Sequence, residues 1–497
     1  MAVSPGVFSK IIDLSEYVAT VPSTVGFIPI ISEKGPDNEV VLTNAVDFYI
    51  DFGEPNINYA TKTYGQGPYV ASSFLQQSSS LYVVRCLPSD AVYANMVLEA
   101  ETTANIGADG TSNVTVTALT SKTSLSALDT EVSSDNETCV IFYGVGRGEY
   151  YNDYRVRITT HSNPEYASDG IYVLDIFEKQ ADPDGESGYD VYESIVTLEV
   201  SFDQTKTDTA GESLWIEDVV NKYSRYVKCK ADADKCATAN SNGANWSQDF
   251  TDFLQTDGDG FQYHNTKYNL KNGTSGSLFD VDGIIDSTEA DSILANAYKG
   301  LLDTKTGVSG EKLSEVLDTD RYYFSIILDG GYPTDVKTGI KTMVTTRLDC
   351  LALIDNGDNM TVSAALTSRN DNNTYNSKYM AIYECYSKIF DSFTGRDIWI
   401  TPVYHMANIV PYTDNVSEVW YAPAGFNRAT IGTIKELRYS PQLSERDQLY
   451  LKQINPIVKF NVGYTMWGQL TTQKKPSALQ DVNIITVSYT HLTLPTN

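Results

Sequence analysis

The four histidines of this 497-residue chain, at 161, 264, 405 and 491, are its whole supply of imidazole, and none has a nucleophile or metal partner at a recognisable spacing. No G-x-S-x-G turn lifts a serine above a sheet, no H-E-x-x-H pair sits on a helix, and no phosphate loop is complete. Gly144-Val145-Gly146-Arg147-Gly148 could let a backbone approach a phosphate, but the glycine spacing is partial and no helix-opening sequence with an acid follows. Asp257-Gly258-Asp259-Gly260 and Asp280-Val281-Asp282-Gly283 begin like calcium loops and lack the closing glutamate. All three read as turns. Cysteines 86, 139, 229, 236, 350 and 385 stand mostly among apolar strand-like neighbours, as buried free thiols do, and the Cys229/Cys236 spacing suits no common zinc site. With 64 acidic residues, a carboxylate pair in some cleft is expected by chance, so none stands out. The expectation is a protein without catalytic residues, cofactor or metal.

Bulk properties narrow the partners. Lysine and arginine number 36 against 64 acids, a formal charge of -28, which repels nucleic-acid phosphates and anionic lipid. Direct DNA binding and membrane binding are therefore not expected. No apolar run reaches the roughly 18 residues of a spanning helix, and the first residues lack a signal-peptide pattern. The 34 tyrosines lean toward an assembling protein, because tyrosine buries a large ring while keeping a polar tip.

The elements that would position a site are densest from Ser440 to Ala478. Ser444, with Glu445 and Asp447 behind it, predicts a capped helix start; Asn455-Pro456 predicts its stop; and Ile457 to Trp467 has strand composition bounded by Gly463 and Gly468. Residues 1–20 read as an extended arm, with Ser4, Pro5 and Gly6 punctuating Val7, Phe8, Ile11, Ile12 and Leu14; such a segment can satisfy its backbone by adding a strand to a sheet edge. Residues 21–95 have α/β texture, with strands near Gly26 and Leu81 and a short helix capped by Asn44. From 96 to 287 the texture is short strands and Asn/Asp/Gly turns, including a long polar stretch at 246–277 that reads as a surface excursion. From 288 to 484 the α/β texture returns: helix 290–302, strand 322–328, the Asp329-Gly330-Gly331 turn, helix 335–347, strand 350–354, helix 379–390 and strand 398–400.

Several phrases, in order, resemble contractile-tail sheath proteins of myophage tails and related injection machines. They are the SPGV opening; the GP turn and LYVVR strand; a G-x-x-x-N phrase at 148–158, with tyrosines where the family has tryptophan and leucine; and 211–226. Further on come LDGG at Asp329, Gly330 and Gly331; R-x-D-x-x-A-x-x-D starting at Arg347 and Asp349; W-x-A-P-A-G with Trp420, Pro423 and Gly425; Glu445-Arg446-Asp447; Asn455-Pro456; and Trp467-Gly468. The resemblance implies an α/β conserved inner domain split in sequence (21–95 and 288–484), an inserted mainly β outer region (96–287), and an N-terminal arm linking subunits.

It also implies a structural subunit that polymerises as stacked hexameric rings around a tail tube and contracts. Its partners would be its own copies, the tail tube protein, and baseplate and tail terminator proteins, assembled in the host cytoplasm into a virion. Beyond Ile484 the family pattern continues, whereas this chain ends in VSYTHLTLPTN, which resembles translated adapter sequence; the expectation is a missing natural C-terminus and a non-native tail at 485–497. Three other readings stand beside this one: the sheath of a related contractile injection system, an acidic glycan-binding or glycan-cleaving virion protein using acid pairs, and a surface-layer protein, which should carry an export signal.

Overall fold

The computed structural model describes residues 24–474 apart from 38, 57–64, 101–113, 135–136, 181–189, 248–249, 257–261, 280–285, 303–315, 372–374 and 418–420. The arm from Ser4 to Leu14, both calcium-like turns, Trp420 and the tail at 485–497 lie outside the described residues.

A nine-stranded sheet organises the chain. Its strands are β1 (Gly26–Ile30), β2 (Val40–Thr43), β3 (Leu81–Arg85), β4 (Ile326–Leu328), β5 (Leu351–Asp355), β6 (Met380–Glu384), β7 (Thr430–Ile431), β8 (Ile454–Phe460) and β9 (Gly463–Met466). They lie in the order β7-β9-β8-β6-β5-β4-β1-β3-β2. The six central strands, β8 to β3, pair parallel, and the edges are closed by antiparallel partners.

Parallel pairing demands crossovers and covered faces. Helices α1 (Ala45–Phe52), α2 (Gly67–Leu75), α3 (Ser287–Leu302), α4 (Thr334–Arg347), α5 (Val362–Asp371), α6 (Pro402–Val416) and α7 (Leu443–Leu451) flank the sheet. One face packs Ile28, Leu353 and Tyr383 against residues of α1, α2 and α6; the other packs Phe27, Ile354 and Ile382 against residues of α3 and α4. Burial on both faces explains why β1, and β5 up to its closing Asp355, are apolar runs. Asn44 caps α1 as expected, its side chain accepting from the amides of Val46 and Asp47.

Residues between 91 and 279 supply a four-stranded sheet (Val227–Ala231, Thr138–Gly144, Asn95–Ala100, Val114–Thr117) and a three-stranded sheet (Tyr154–Thr160, Ile171–Gln180, Val191–Ser201). The two share one apolar cluster. The stretch 246–277 belongs to that cluster rather than to a surface excursion: Trp246, Phe250, Phe253, Tyr268 and Leu270 are buried, and Trp246 stacks on Phe202 at 4.0 Å. Five apolar residues, too widely spaced to form a pattern, carry it into the core.

Other expectations are corrected by the structure. Residues 379–390 form two strands, β6 and Ser387–Asp391, not a helix. Their apolar residues satisfy helical and strand spacing alike, and the break is made by Cys385 at φ 76°, which no helix accommodates. The strand expected at 322–328 is only Ile326–Leu328. α7 is capped by Gln442, not Ser444: Glu445 accepts from the Gln442 amide at 2.7 Å, closing a capping box. Asn455-Pro456 lies inside β8; the reversal comes earlier, where Gln453 takes φ 56°. Helices α5 and α6 had no prediction, and α6 holds Pro402 at its first turn and Pro411 inside, which conceals it from helix-pattern reading.

Candidate functional site

Each of three neighbouring parallel strands ends in a buried acid: Asp329 directly after β4, Asp355 closing β5 and Glu384 closing β6. They stand at the carboxyl edge of the sheet. β1 leads to β3 on one side and the later strands continue from β4 on the other, so the chain direction switches between β1 and β4, where doubly wound sheets leave a ligand crevice.

Here that crevice is filled by the protein. Tyr332 is buried, and its hydroxyl donates to the Pro29 carbonyl at the end of β1. A Cβ on Gly330 would come within 2.6 Å of the Tyr332 ring and 2.7 Å of the Gly67 Cα, and Gly331 takes φ 77° to turn the chain. The two glycines are therefore required for close packing of the loop, not for approach to a phosphate.

Lys337, one turn into α4, sends its ammonium back to Asp355 at 2.5 Å and Asp329 at 3.4 Å. Asp355 also accepts from the hydroxyls of Tyr386 at 2.8 Å and Thr401 at 2.6 Å, so its carboxyl is held below the ordinary range. Asp329 accepts from the amides of Tyr332 and Asp355, yet burial dominates and pushes it up to about 6. Glu384 is pushed up to about 7 by burial, with Asn356 and Asn359 donating to one oxygen.

Ser387 and His405, 2.7 Å apart, look like a nucleophile and its base. Both are buried, and burial brings the imidazole down to about 3, which removes its basicity at neutral pH. The row thus locks β4, β5, β6, α4 and α6 together. An open groove of about 450 Å3, lined by Leu198, Glu199, Glu212 and Tyr223 among others, lies on the three-stranded sheet instead. Among the described residues no group of three or more His, Cys, Asp or Glu side chains is arranged for a metal ion, and no helix is long and apolar enough to cross a membrane.

The remaining family words fall into separate clusters. Arg347, at the end of α4, forks onto Asp349 at 2.9 and 2.7 Å, donates to the Tyr322 and Val316 carbonyls, and stacks on Phe324 at 4.0 Å. Asn455 is buried and accepts from the Leu470 amide while donating to the carbonyls of Leu470 and Ile382. Gly468 approaches it so closely that a Cβ would lie 2.6 Å from the Asn455 Oδ1. Pro456 accepts from the Trp467 amide, and the Gly425 amide, in the turn after buried Pro423, donates to the Met466 carbonyl. Arg446 lies over the Phe460 ring, and Asp447 is exposed.

Pattern reading missed the residues that complete these clusters. Lys337, Glu384, Tyr386 and Thr401 come from three separate stretches and meet Asp355, the last residue of the R-x-D-x-x-A-x-x-D phrase, although one signal was present: an acid directly after each apolar strand, in ILD, LALID and AIYE. The Gly144–Gly148 turn serves another close approach. Gly146 sits where a Cβ would be 2.1 Å from the Gly35 carbonyl oxygen, and Arg147 pairs with buried Asp37 at 2.5 Å.

No protein-family model matches the chain. Curated relatives do. The tail sheath protein of Vibrio phage KVP40 is 33% identical over 115 residues, and that of Enterobacteria phage T4 is 32% identical over 133 residues. This chain is similar to phage tail sheath proteins. The matched stretches cover 23% and 26% of this chain and only 17% and 20% of those sheath proteins. Among solved structures, the sheath tail protein of Desulfitobacterium hafniense overlays 95% of this chain and 77% of its own at 9% identity, with a TM-score of 0.47, a likeness too loose to position any residue.

Proposed function

We propose that this chain is a subunit of a contractile tail sheath, of a phage or a related injection machine, that polymerises around a tube and contracts. The local identity to two tail sheath proteins carries the reading. The geometry supports it, because the sheet's usual ligand crevice is filled by Tyr332 and its acids are consumed in holding elements together. Such a subunit works mechanically: energy is stored in a metastable stack of rings and released when subunits rearrange, so no nucleotide is needed.

In this proposal residues 21–95 and 288–484 form one core lying near the tube and 96–287 form an outward region. The pairing of β1 with β4 across about three hundred residues supports a split core. Copies of the chain, the tube protein, the baseplate and the terminator are the proposed partners, with the arm at 1–20 linking neighbours and assembly in the host cytoplasm. The proposed site residues are structural, with no catalytic group among them. Negative-stain microscopy of the purified chain should show rings or tubes. A strictly monomeric protein at every concentration and salt tried would overturn the proposal.

A further inference from the structure

The surface around α7 and the β8–β9 hairpin is built unlike a solvated face. Phe426, Phe460 and Trp467 form a three-ring cluster with centroids 4.9 to 5.2 Å apart, yet Phe426 is 48% and Trp467 40% exposed. Val462 at the hairpin tip is 68% exposed, as is Leu443 on α7, and Tyr450 is 53% exposed. Leu443, Arg446 and Tyr450 follow helical spacing on one stripe of α7, and Arg446 lies 5.2 Å over the Phe460 ring, so the helix stripe runs onto the ring cluster. Arg428, two residues along from Phe426, stacks at 4.3 Å on the exposed ring of Tyr421. Neither arginine forms an ion pair among the described residues, in a chain with 64 acids to 36 bases. Guanidinium groups stacked on rings and not ion-paired, beside uncovered tryptophan, phenylalanine and tyrosine, match the composition of protein interface anchors.

We infer that this arginine-aromatic face is the contact by which one copy of the chain seats on an acidic face of the next copy; the inference rests on the sheath reading above. The charge balance selects the occupant. A chain with 64 acids to 36 bases carries an excess of carboxylates, so a second copy can supply an anionic partner for these two unpaired guanidinium groups. The patch does not suit itself: a two-fold contact would set Arg428 and Arg446 of one copy against the same pair on the other. The contact is therefore heterologous, patch against a different surface, and such contacts propagate into rings or helices instead of closing as dimers.

The test compares the full chain with two variants by sedimentation velocity and negative-stain microscopy at low and high salt. Arg428→Glu with Arg446→Glu should weaken association about tenfold or more, with circular dichroism and melting unchanged. Arg428→Lys with Arg446→Lys should retain most of it, and raised salt should weaken the unaltered chain. An unaltered chain that stays monomeric overturns the sheath reading and this contact with it. If the chain assembles and the charge-reversed variant assembles equally well, this contact alone is overturned and the sheath reading stands. Closed dimers as the sole assembly would overturn the heterologous geometry.

Discussion

Glu384 shows how a single buried side chain couples this fold to pH. Burial raises its carboxyl from the ordinary range, near 4.5, to about 7. Between those values the folded protein holds a proton that the unfolded chain has released, so its contribution is fully present below 4.5 and is lost as pH rises through 7. The loss amounts to about 3 kcal/mol if the group acts alone. Glu384→Gln keeps an acceptor for Asn356 and cannot ionise. Denaturant midpoints measured from pH 5 to pH 8 should therefore fall with pH for the unaltered protein and less steeply for the variant, making the variant the more stable of the two at pH 8. Parallel profiles would show that Glu384 stays ionised in the fold. Its neighbour Asp355 behaves in the opposite sense, being held ionised by Lys337 and two hydroxyls, so identical carboxyl chemistry is steered by environment alone.

At the scale of elements, the β8–β9 corner depends on one close approach. Asn455 satisfies three backbone groups around it, and Gly468 must come within van der Waals contact of it at φ 152°. Gly468→Ala would press a methyl against the Asn455 Oδ1 and force the Leu470 bonds apart, costing about 2–4 kcal/mol from strain and orphaned polar groups. Gly357→Ala is the control, because its φ of 94° is also unfavourable but nothing lies within 4 Å of the new carbon, so only the roughly 1–2 kcal/mol conformational cost applies. Equal losses at the two positions, read from denaturant midpoints, would remove the packing explanation. The corner was half legible in sequence: the glycine and the Asn-Pro pair marked it, but the turn was expected at Pro456 and lies at Gln453. Proline in a strand is tolerated here because Pro456 lies one residue before Ile457, the first β8 residue in register with β9, so that ladder asks no amide donor of it.

At the scale of the whole molecule, the nine-stranded sheet meets the four-stranded one through buried arginines. Arg85 donates to the carbonyls of Ser32, Glu33, Gly35 and Arg147, and Arg147 forks between the Asp37 carboxylate and the Pro88 carbonyl. Their apolar clusters are otherwise distinct, one drawing on residues 94–270 and the others on residues outside that span. Arg147→Met takes the cation from a buried carboxylate, a loss of about 3–5 kcal/mol. Calorimetry should show the variant melting in two steps where the unaltered chain melts in one. A single transition at the original temperature would mean that the two parts are coupled elsewhere.

What the amino-acid sequence determined by itself is what local physics encodes. Apolar runs specified strands buried on both faces, Asn44 specified a helix start, mostly apolar flanks pointed to buried free thiols, and the acid excess set the kind of surface. What only the tertiary structure decided is which distant groups meet. Lys337 finds Asp355 across 18 residues and Arg147 finds Asp37 across 110, pairings that no periodicity records because they depend on which strand ends lie side by side. The same holds for 379–390, where helix and strand spacings coincide, and for Trp246, which fills the core from within a polar stretch. Periodicity reports which face of an element is apolar, and the fold alone reports what that face meets.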